Sequence, residues 1–171
     1  LDRTEPLTAL SGKPMTIMQE AMEAGHRVGI VNSGHIGEPG TGVFLASSES
    51  RDDIQGIALK VLESGADLIF CGGEVYLLPV GVKGRHGLPG KREDGRNLIQ
   101  EAEIRGYTVI YTRDELMNLD PATAKVLGIF AAIDTYNDIR EADLEELGLE
   151  TYNPGQPTFD EMVKVALKVL G

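Results

Sequence analysis

The chain has 171 residues, 16 of them basic and 27 acidic, and a formal net charge of −11. This length fits one domain with a substantial core. The negative field excludes nucleic acid and anionic membranes as general partners but leaves room for a local site that binds a small anion. The single cysteine excludes an internal disulfide and a multi-cysteine metal site. No stretch approaches the roughly 20 apolar residues of a membrane span, and no signal peptide is visible.

Apolar periodicity predicts that helices and strands alternate along the chain. The first helix covers 16–24 and begins with Thr16 and Gln19 at capping-box spacing. The elements that follow are a strand over 27–32, a helix from 54 closed by Gly65, a strand over 66–71, a helix over 97–105, a strand over 107–112, a short helix over 114–119 and a strand over 126–132. The last helix starts at a second capping box, Thr158 with Glu161.

This alternation predicts an α/β fold in which helices cover both faces of a mostly parallel sheet, a three-layer αβα sandwich. Residues 1–171 are expected to form a single domain. Two stretches interrupt the alternation. The glycine-rich, basic stretch 80–96 is predicted to be a solvated surface excursion, the alternative being a loop that attracts an anionic substrate through cations such as Arg85 and Arg92. The acidic stretch 136–154 is predicted to be a long connection with one short helix.

The stretch 28–53 is the best candidate for chemistry. A strand leads into the loop 37–42, in which four of six residues are glycine or proline. Such a loop can present backbone N–H groups to an anion, or it can be a simple turn. It lacks the lysine of a P-loop and the glycine spacing of a dinucleotide-binding motif, so it does not support a nucleotide fold.

Arg51 follows this loop in an unusual place. Ser50 and Asp53 have the spacing of a helix N-cap, which predicts that Arg51 lies in the first turn of the next helix. A cation is unfavourable there unless an anion is bound beside it. The alternative is a surface arginine paired with Asp52 or Asp53.

Other side chains carry weaker signals. Glu38 is a hard oxygen donor suited to magnesium or zinc, but one carboxylate does not make a metal site. The three histidines, His26, His35 and His86, show no ligand spacing and are expected to be surface or loop residues. Cys71 ends an apolar strand and is expected in the core.

From Ile36 to Arg51, the sequence IGEPGTGVFLASSESR resembles the alkaline phosphatase family, in which a strand, a short metal-binding motif, an apolar helix and Ser-Arg follow one another. Four further motifs occur in the family's order. They are ADLIFCGG from Ala66, RGY from Arg105, LGIF from Leu127 and PTFDEM from Pro157. The resemblance covers essentially the whole chain.

The resemblance implies roles for three residues. Glu38 occupies the position of a magnesium ligand, and Arg51 that of the arginine that binds the substrate phosphate with both nitrogens. The family commonly has Thr or Ser two places after the ligand; here Gly40 stands there, and Thr41 follows as the candidate hydroxyl neighbour.

The same resemblance implies that the chain is an internal segment of an alkaline phosphatase, without the nucleophilic serine and the later zinc ligands. Its parent is then expected to hydrolyse phosphate monoesters with zinc and magnesium, in the periplasm or outside the cell. The segment is expected to be inactive alone and to self-associate through its uncovered strand edges, as a homo-oligomer. The alternative is a non-enzymatic α/β module that binds a small anion or a protein partner.

Overall fold

The computed structural model describes residues 11–171 and has four parallel strands at its centre. The strands are β1 (Gly29–His35), β2 (Leu68–Gly72), β3 (Thr108–Ile110) and β4 (Val126–Ile129). They lie in the order β1-β2-β4-β3, so β4 inserts between β2 and β3. The described part of the chain thus confirms the parallel sheet.

Seven helices surround the sheet in the described residues. They are α1 (Ile17–Glu23), α2 (Pro39–Leu45), α3 (Ile54–Glu63), α4 (Leu98–Ile104), α5 (Arg113–Met117), α6 (Glu141–Glu146) and α7 (Phe159–Leu170). Two short 3-10 turns, Glu74–Tyr76 and Tyr136–Asp138, follow β2 and precede α6. No helix among residues 11–171 has the length and apolarity needed to cross a bilayer.

Side chains of β2 alternate between the two faces of the sheet, as strand geometry requires. Ile69 and Cys71 face a core shared with α3 and α4, whereas Leu68 and Phe70 face a second core shared with α7. All five residues of β2 are buried. A central strand buried on both faces confirms the three-layer αβα arrangement.

The predicted helix starts are confirmed where a capping box is present. The Thr16 side chain accepts a hydrogen bond from the backbone N–H of Gln19, and the Gln19 side chain accepts one from the backbone N–H of Thr16. Thr158 and Glu161 form the same two hydrogen bonds. Strands β2, β3 and β4 are shorter than predicted, whereas β1 is one residue longer and lies further along the chain. β1 begins at Gly29 rather than at residue 27 because hydrogen-bonded pairing with β2 starts at Gly29 and Leu68.

The glycine-rich stretch 37–42 was expected to be a loop, and this is wrong in its second half. Pro39 is the first residue of α2, where its fixed φ suits a helix and its missing N–H costs no hydrogen bond. Thr41 and Leu45 are buried on the inner side of this helix. Burial of that side outweighs the low helix propensity of the glycines.

The carboxyl end of β1 departs from regular pairing. The register with β2 is regular through Val31 and then shifts before His35 pairs with Gly72. The chain after β4 crosses this end, where the backbone N–H of Thr135 donates to the carbonyl of Ser33 at 2.8 Å. Residues at the end of β1 therefore lie beside the segment that follows β4.

Candidate functional site

Asn32 joins two oxygen donors at the carboxyl end of β1. Its amide nitrogen Nδ2 donates to Glu38 Oε2 and to Thr41 Oγ1, each at 2.9 Å. Its amide oxygen accepts from the backbone N–H of Gly34 at 3.2 Å, which fixes the orientation of the amide. The carboxylate of Glu38 and the hydroxyl of Thr41 thus share one hydrogen-bond donor.

Glycines leave the room that this arrangement needs. A Cβ atom at Gly34 would lie 1.7 Å from Glu38 Oε2, so the carboxylate packs directly on the backbone of β1. A Cβ at Gly40 would lie 3.3 Å from Asn32 Nδ2, a tight contact that a shift of a few tenths of an ångström in the Asn32 side chain would relieve. The position of Glu38 therefore depends strictly on the glycine at position 34, whereas Gly40 leaves room for the Asn32 amide.

His35 was expected on the surface or in a loop, and this is wrong: it is the half-buried last residue of β1. Its ring lies 4.7 Å from the ring of Tyr76, measured between centroids. Its Nδ1 is buried and has no hydrogen-bond partner among residues 11–171. The ring is held by packing, since no hydrogen bond from the described chain reaches that nitrogen.

Acidic side chains make this end of the sheet negative. Desolvation raises the pKa of Asp134, and the nearby carboxylates of Asp138 and Glu38 raise it further, against the opposing effect of His35.

Cys71 lies in the core as predicted, and burial, with a smaller contribution from Glu38, raises the pKa of its thiol. That thiol is therefore protonated and unreactive at neutral pH.

Arg51 lies in an exposed turn before α3, not in the first turn of the helix as predicted. The N-cap is Asp53, whose Oδ1 accepts from the backbone N–H of Gly56 at 3.0 Å. The Ser50 hydroxyl oxygen instead accepts from the backbone N–H of Asp52 at 3.2 Å. Within residues 11–171 no carboxylate forms an ion pair with Arg51, so the predicted alternative, pairing with Asp52 or Asp53, is not observed.

The basic stretch 80–96 is anchored rather than freely solvated. The buried carboxylate of Glu74 accepts the backbone N–H groups of Arg85 and His86 at 2.7 and 2.8 Å. The ring of His86 then lies 2.7 Å, through Nε2, from the carbonyl of Ile129 at the end of β4. This stretch therefore folds over the carboxyl edge of the sheet.

Arg92 was grouped with the solvated cations of this stretch, and this is wrong. It is only 2% exposed. Its Nη1 donates to the carbonyls of Gln55 and Tyr76 at 3.0 and 3.1 Å, and its Nε donates to Asp94 at 3.0 Å. The guanidinium joins α3, the 3-10 turn after β2 and its own loop, so its role in the fold is structural.

Two oxygen donors do not make a complete metal site. No group of three His, Cys, Asp or Glu side chains converges on a common point among residues 11–171.

The sequence indicated Glu38 and Thr41 as candidate site residues but did not point to Asn32, Glu74 or the buried Arg92. An amide in a strand and single charges in a loop leave no periodic signal, and only their hydrogen bonds reveal them.

The chain matches the family model described as alkaline phosphatase over residues 6–171. It is 31% identical over 167 residues to the repressible alkaline phosphatase of Saccharomyces cerevisiae. The structure is similar to that of Thermus thermophilus alkaline phosphatase, with a TM-score of 0.71, 28% identity and 96% of the chain covered. It also resembles a His→Glu mutant of TAB5 alkaline phosphatase solved with Mg bound, at 17% identity, a TM-score of 0.61 and 90% coverage of the chain.

These proteins are much longer than the chain. The match covers 91% of the chain but only 28% of the yeast protein. It covers 31% of the Thermus thermophilus chain and 37% of the TAB5 mutant. The chain therefore corresponds to less than two fifths of each of these relatives.

Proposed function

Because the chain belongs to the alkaline phosphatase family, we propose that its parent protein hydrolyses phosphate monoesters and that these residues form one wall of the active site. The observation that carries the proposal is the pair of oxygen donors on Asn32, Glu38 Oε2 and Thr41 Oγ1, at the carboxyl end of a parallel strand. Ligands of open α/β sheets bind at this end. The covalent chemistry belongs to parts of the parent outside this chain.

Arg51 is the proposed phosphate-binding residue, for a phosphate monoester or for inorganic phosphate. Its side chain is exposed and forms no ion pair within residues 11–171, so its five N–H donors are available. A guanidinium can bind two phosphate oxygens at once through parallel hydrogen bonds. It would hold the ester in place while charge develops on the phosphoryl oxygens.

Glu38 is the proposed magnesium ligand, with Thr41 as its hydroxyl neighbour. The two oxygens are each 2.9 Å from one nitrogen, which brings hard donors of the kind that magnesium prefers close together. The remaining ligands come from elsewhere in the parent. When bound, zinc and magnesium activate the nucleophile and stabilise the negative charge of the transferred phosphoryl group.

Replacing Gly34 with alanine in the parent is expected to weaken magnesium binding about 10- to 100-fold, the usual cost of disturbing the residues around a metal ligand. The new methyl group would occupy the space of the Glu38 carboxylate, 1.7 Å from Oε2. Magnesium affinity is measured by calorimetry on the metal-depleted protein. Gly155→Ala is the matched control, because its Cβ would only approach Asn153 at 3.3 Å. Equal magnesium affinity of the Gly34 variant and the control would contradict the assignment of Glu38.

The function itself is tested by comparing the parent with residues 1–171 alone. The parent is expected to release phosphate from p-nitrophenyl phosphate in a zinc-dependent reaction, whereas the isolated chain is expected to show no turnover. The reason is that the family resemblance assigns the nucleophile to another part of the parent, and that within residues 11–171 no three metal-binding side chains converge. Zinc-dependent turnover by the isolated chain would refute this division of roles, and an inactive, metal-loaded parent would refute the phosphatase proposal.

The parent is further proposed to be a homo-oligomer located in the periplasm or outside the cell. Support for both comes from the family resemblance. For self-association, a second argument is that β1 and β3 occupy the two edges of the described sheet. Unpaired strand edges offer backbone hydrogen-bonding groups to another chain.

A further inference from the structure

Lys91 lies on a rigid part of the basic stretch, next to the proposed site. Its backbone N–H donates to the carbonyl of Val75 at 2.7 Å, and its carbonyl accepts from Gln55 Nε2 at 3.0 Å. The following residue is the buried Arg92. Gln55 belongs to the first turn of α3, which Arg51 precedes by three residues. The backbone of Lys91 is thus fixed beside the start of that helix.

The ammonium group of Lys91 lies beside an aromatic ring that contacts the last residue of β1. Its Nζ lies 5.6 Å from the centre of the Tyr76 ring, within the range of a cation–π contact. The same ring lies 4.7 Å from the ring of His35. The carbonyl of His35 in turn accepts a hydrogen bond from the backbone N–H of Glu38 at 3.0 Å. Consecutive contacts through Tyr76 and His35 therefore connect Lys91 with the proposed magnesium ligand.

Lys91 is not neutralised by the chain around it. Within residues 11–171 it forms no ion pair with a carboxylate, whereas Arg85 of the same stretch pairs with Glu115 at 3.4 Å. The surroundings are acidic, since Asp134, Asp138 and Glu38 act on one another at the same edge. These carboxylates would repel an anionic group of a ligand unless a cation without a carboxylate partner bound that group.

We propose that Lys91 is a second anion-binding residue, which makes the site favour phosphate monoesters whose alcohol part carries a carboxylate. The proposal rests on the proposed phosphatase function, with Arg51 binding the phosphate. Lys91 then binds the carboxylate at the rim of the site. Its contact is a charge-assisted hydrogen bond at a solvated position, and it affects which ester is preferred rather than the chemical step.

The test compares two esters that differ in this one group, 3-phosphoglycerate and glycerol 3-phosphate, with the metal-loaded parent as enzyme. Lys91→Met is expected to lower kcat/KM for 3-phosphoglycerate about two- to fivefold, the range expected for an exposed ion pair. The same substitution is expected to leave kcat/KM for glycerol 3-phosphate unchanged. Raising the salt concentration should reduce the preference of the wild type but not that of the variant.

Two further variants separate binding from structure. Lys91→Arg keeps the charge and is expected to retain the preference, whereas Lys83→Met removes another exposed cation of the same stretch and is expected to have no effect on it. If Lys91→Met lowered kcat/KM equally for both esters, or left the ratio of the two kcat/KM values unchanged, the assignment of Lys91 would be overturned. The phosphatase proposal would remain intact. A wild type that hydrolyses neither ester would overturn both.

Discussion

Replacing Arg51 with alanine in the parent protein is expected to lower kcat/KM for a phosphate monoester about 100- to 1000-fold, as the loss of a group that stabilises transition-state charge usually does. Arg51 is exposed and free of ion pairs within residues 11–171, so nothing in the described chain competes with the phosphate for it. Inhibition by inorganic phosphate should weaken in parallel. Both effects are read from steady-state kinetics with p-nitrophenyl phosphate.

Two variants serve as controls for this result. Arg51→Lys keeps the positive charge but cannot form two parallel hydrogen bonds, so it is expected to recover only part of the loss. Arg105→Ala removes an exposed arginine that pairs with Glu63 at 3.3 Å, and its activity should stay close to that of the wild type. If Arg51→Ala bound inorganic phosphate as tightly as the wild type, Arg51 would not be the phosphate ligand.

Replacing Arg92 with methionine is expected to destabilise the fold by about 2–4 kcal/mol, because it leaves buried hydrogen-bond acceptors without a donor. The guanidinium donates to the carbonyls of Gln55 and Tyr76 and is 2% exposed. Methionine fills much of the same volume but offers no N–H group. The free energy of unfolding is obtained from urea denaturation followed by circular dichroism.

Arg96→Met is the matched control for Arg92→Met. Arg96 also forms an ion pair, with Glu101, but its side chain is 35% exposed. Solvent screens that pair, so its loss is expected to cost less than about 1 kcal/mol. Equal destabilisation by the two substitutions would show that burial does not determine how much Arg92 contributes to the free energy of unfolding.

Much of the fold could be predicted because its signals are local. The capping boxes at Thr16 and Thr158 set helix starts correctly, since they depend on residues three positions apart. The apolar run of β2 predicted a strand buried on both faces, which the structure confirms. By contrast, local patterns did not predict α2, and only the family resemblance implied a helix there, because its formation depends on burial of Thr41 and Leu45, which local propensity does not report.

The candidate site was predictable only in part. Arg51 could be singled out by its unusual place after the Ser50 cap candidate, whereas the role of Glu38 came from the family resemblance, because a single carboxylate does not indicate a metal site. Helix α3 begins at Ile54, where apolar periodicity predicts it, and not directly after Ser50, because the Asp53 side chain is the one that accepts a hydrogen bond from the first turn of the helix. Asn32 and Glu74 act through side-chain hydrogen bonds to Glu38, Thr41 and the backbone of Gly34, and to the backbone of Arg85 and His86, which sequence spacing does not encode.

The order of the strands also sets the order in which the sheet can be completed during synthesis. In the described sheet, β3 pairs only with β4, and β2 needs β4 on its second side. Until Val126–Ile129 have left the ribosome, β2 and β3 therefore have open edges, although both strands are already made. Exposed edges of this kind promote aggregation of nascent chains. Among the four described strands, β4 is thus both the last to be synthesised and the one that covers the open edges of β2 and β3.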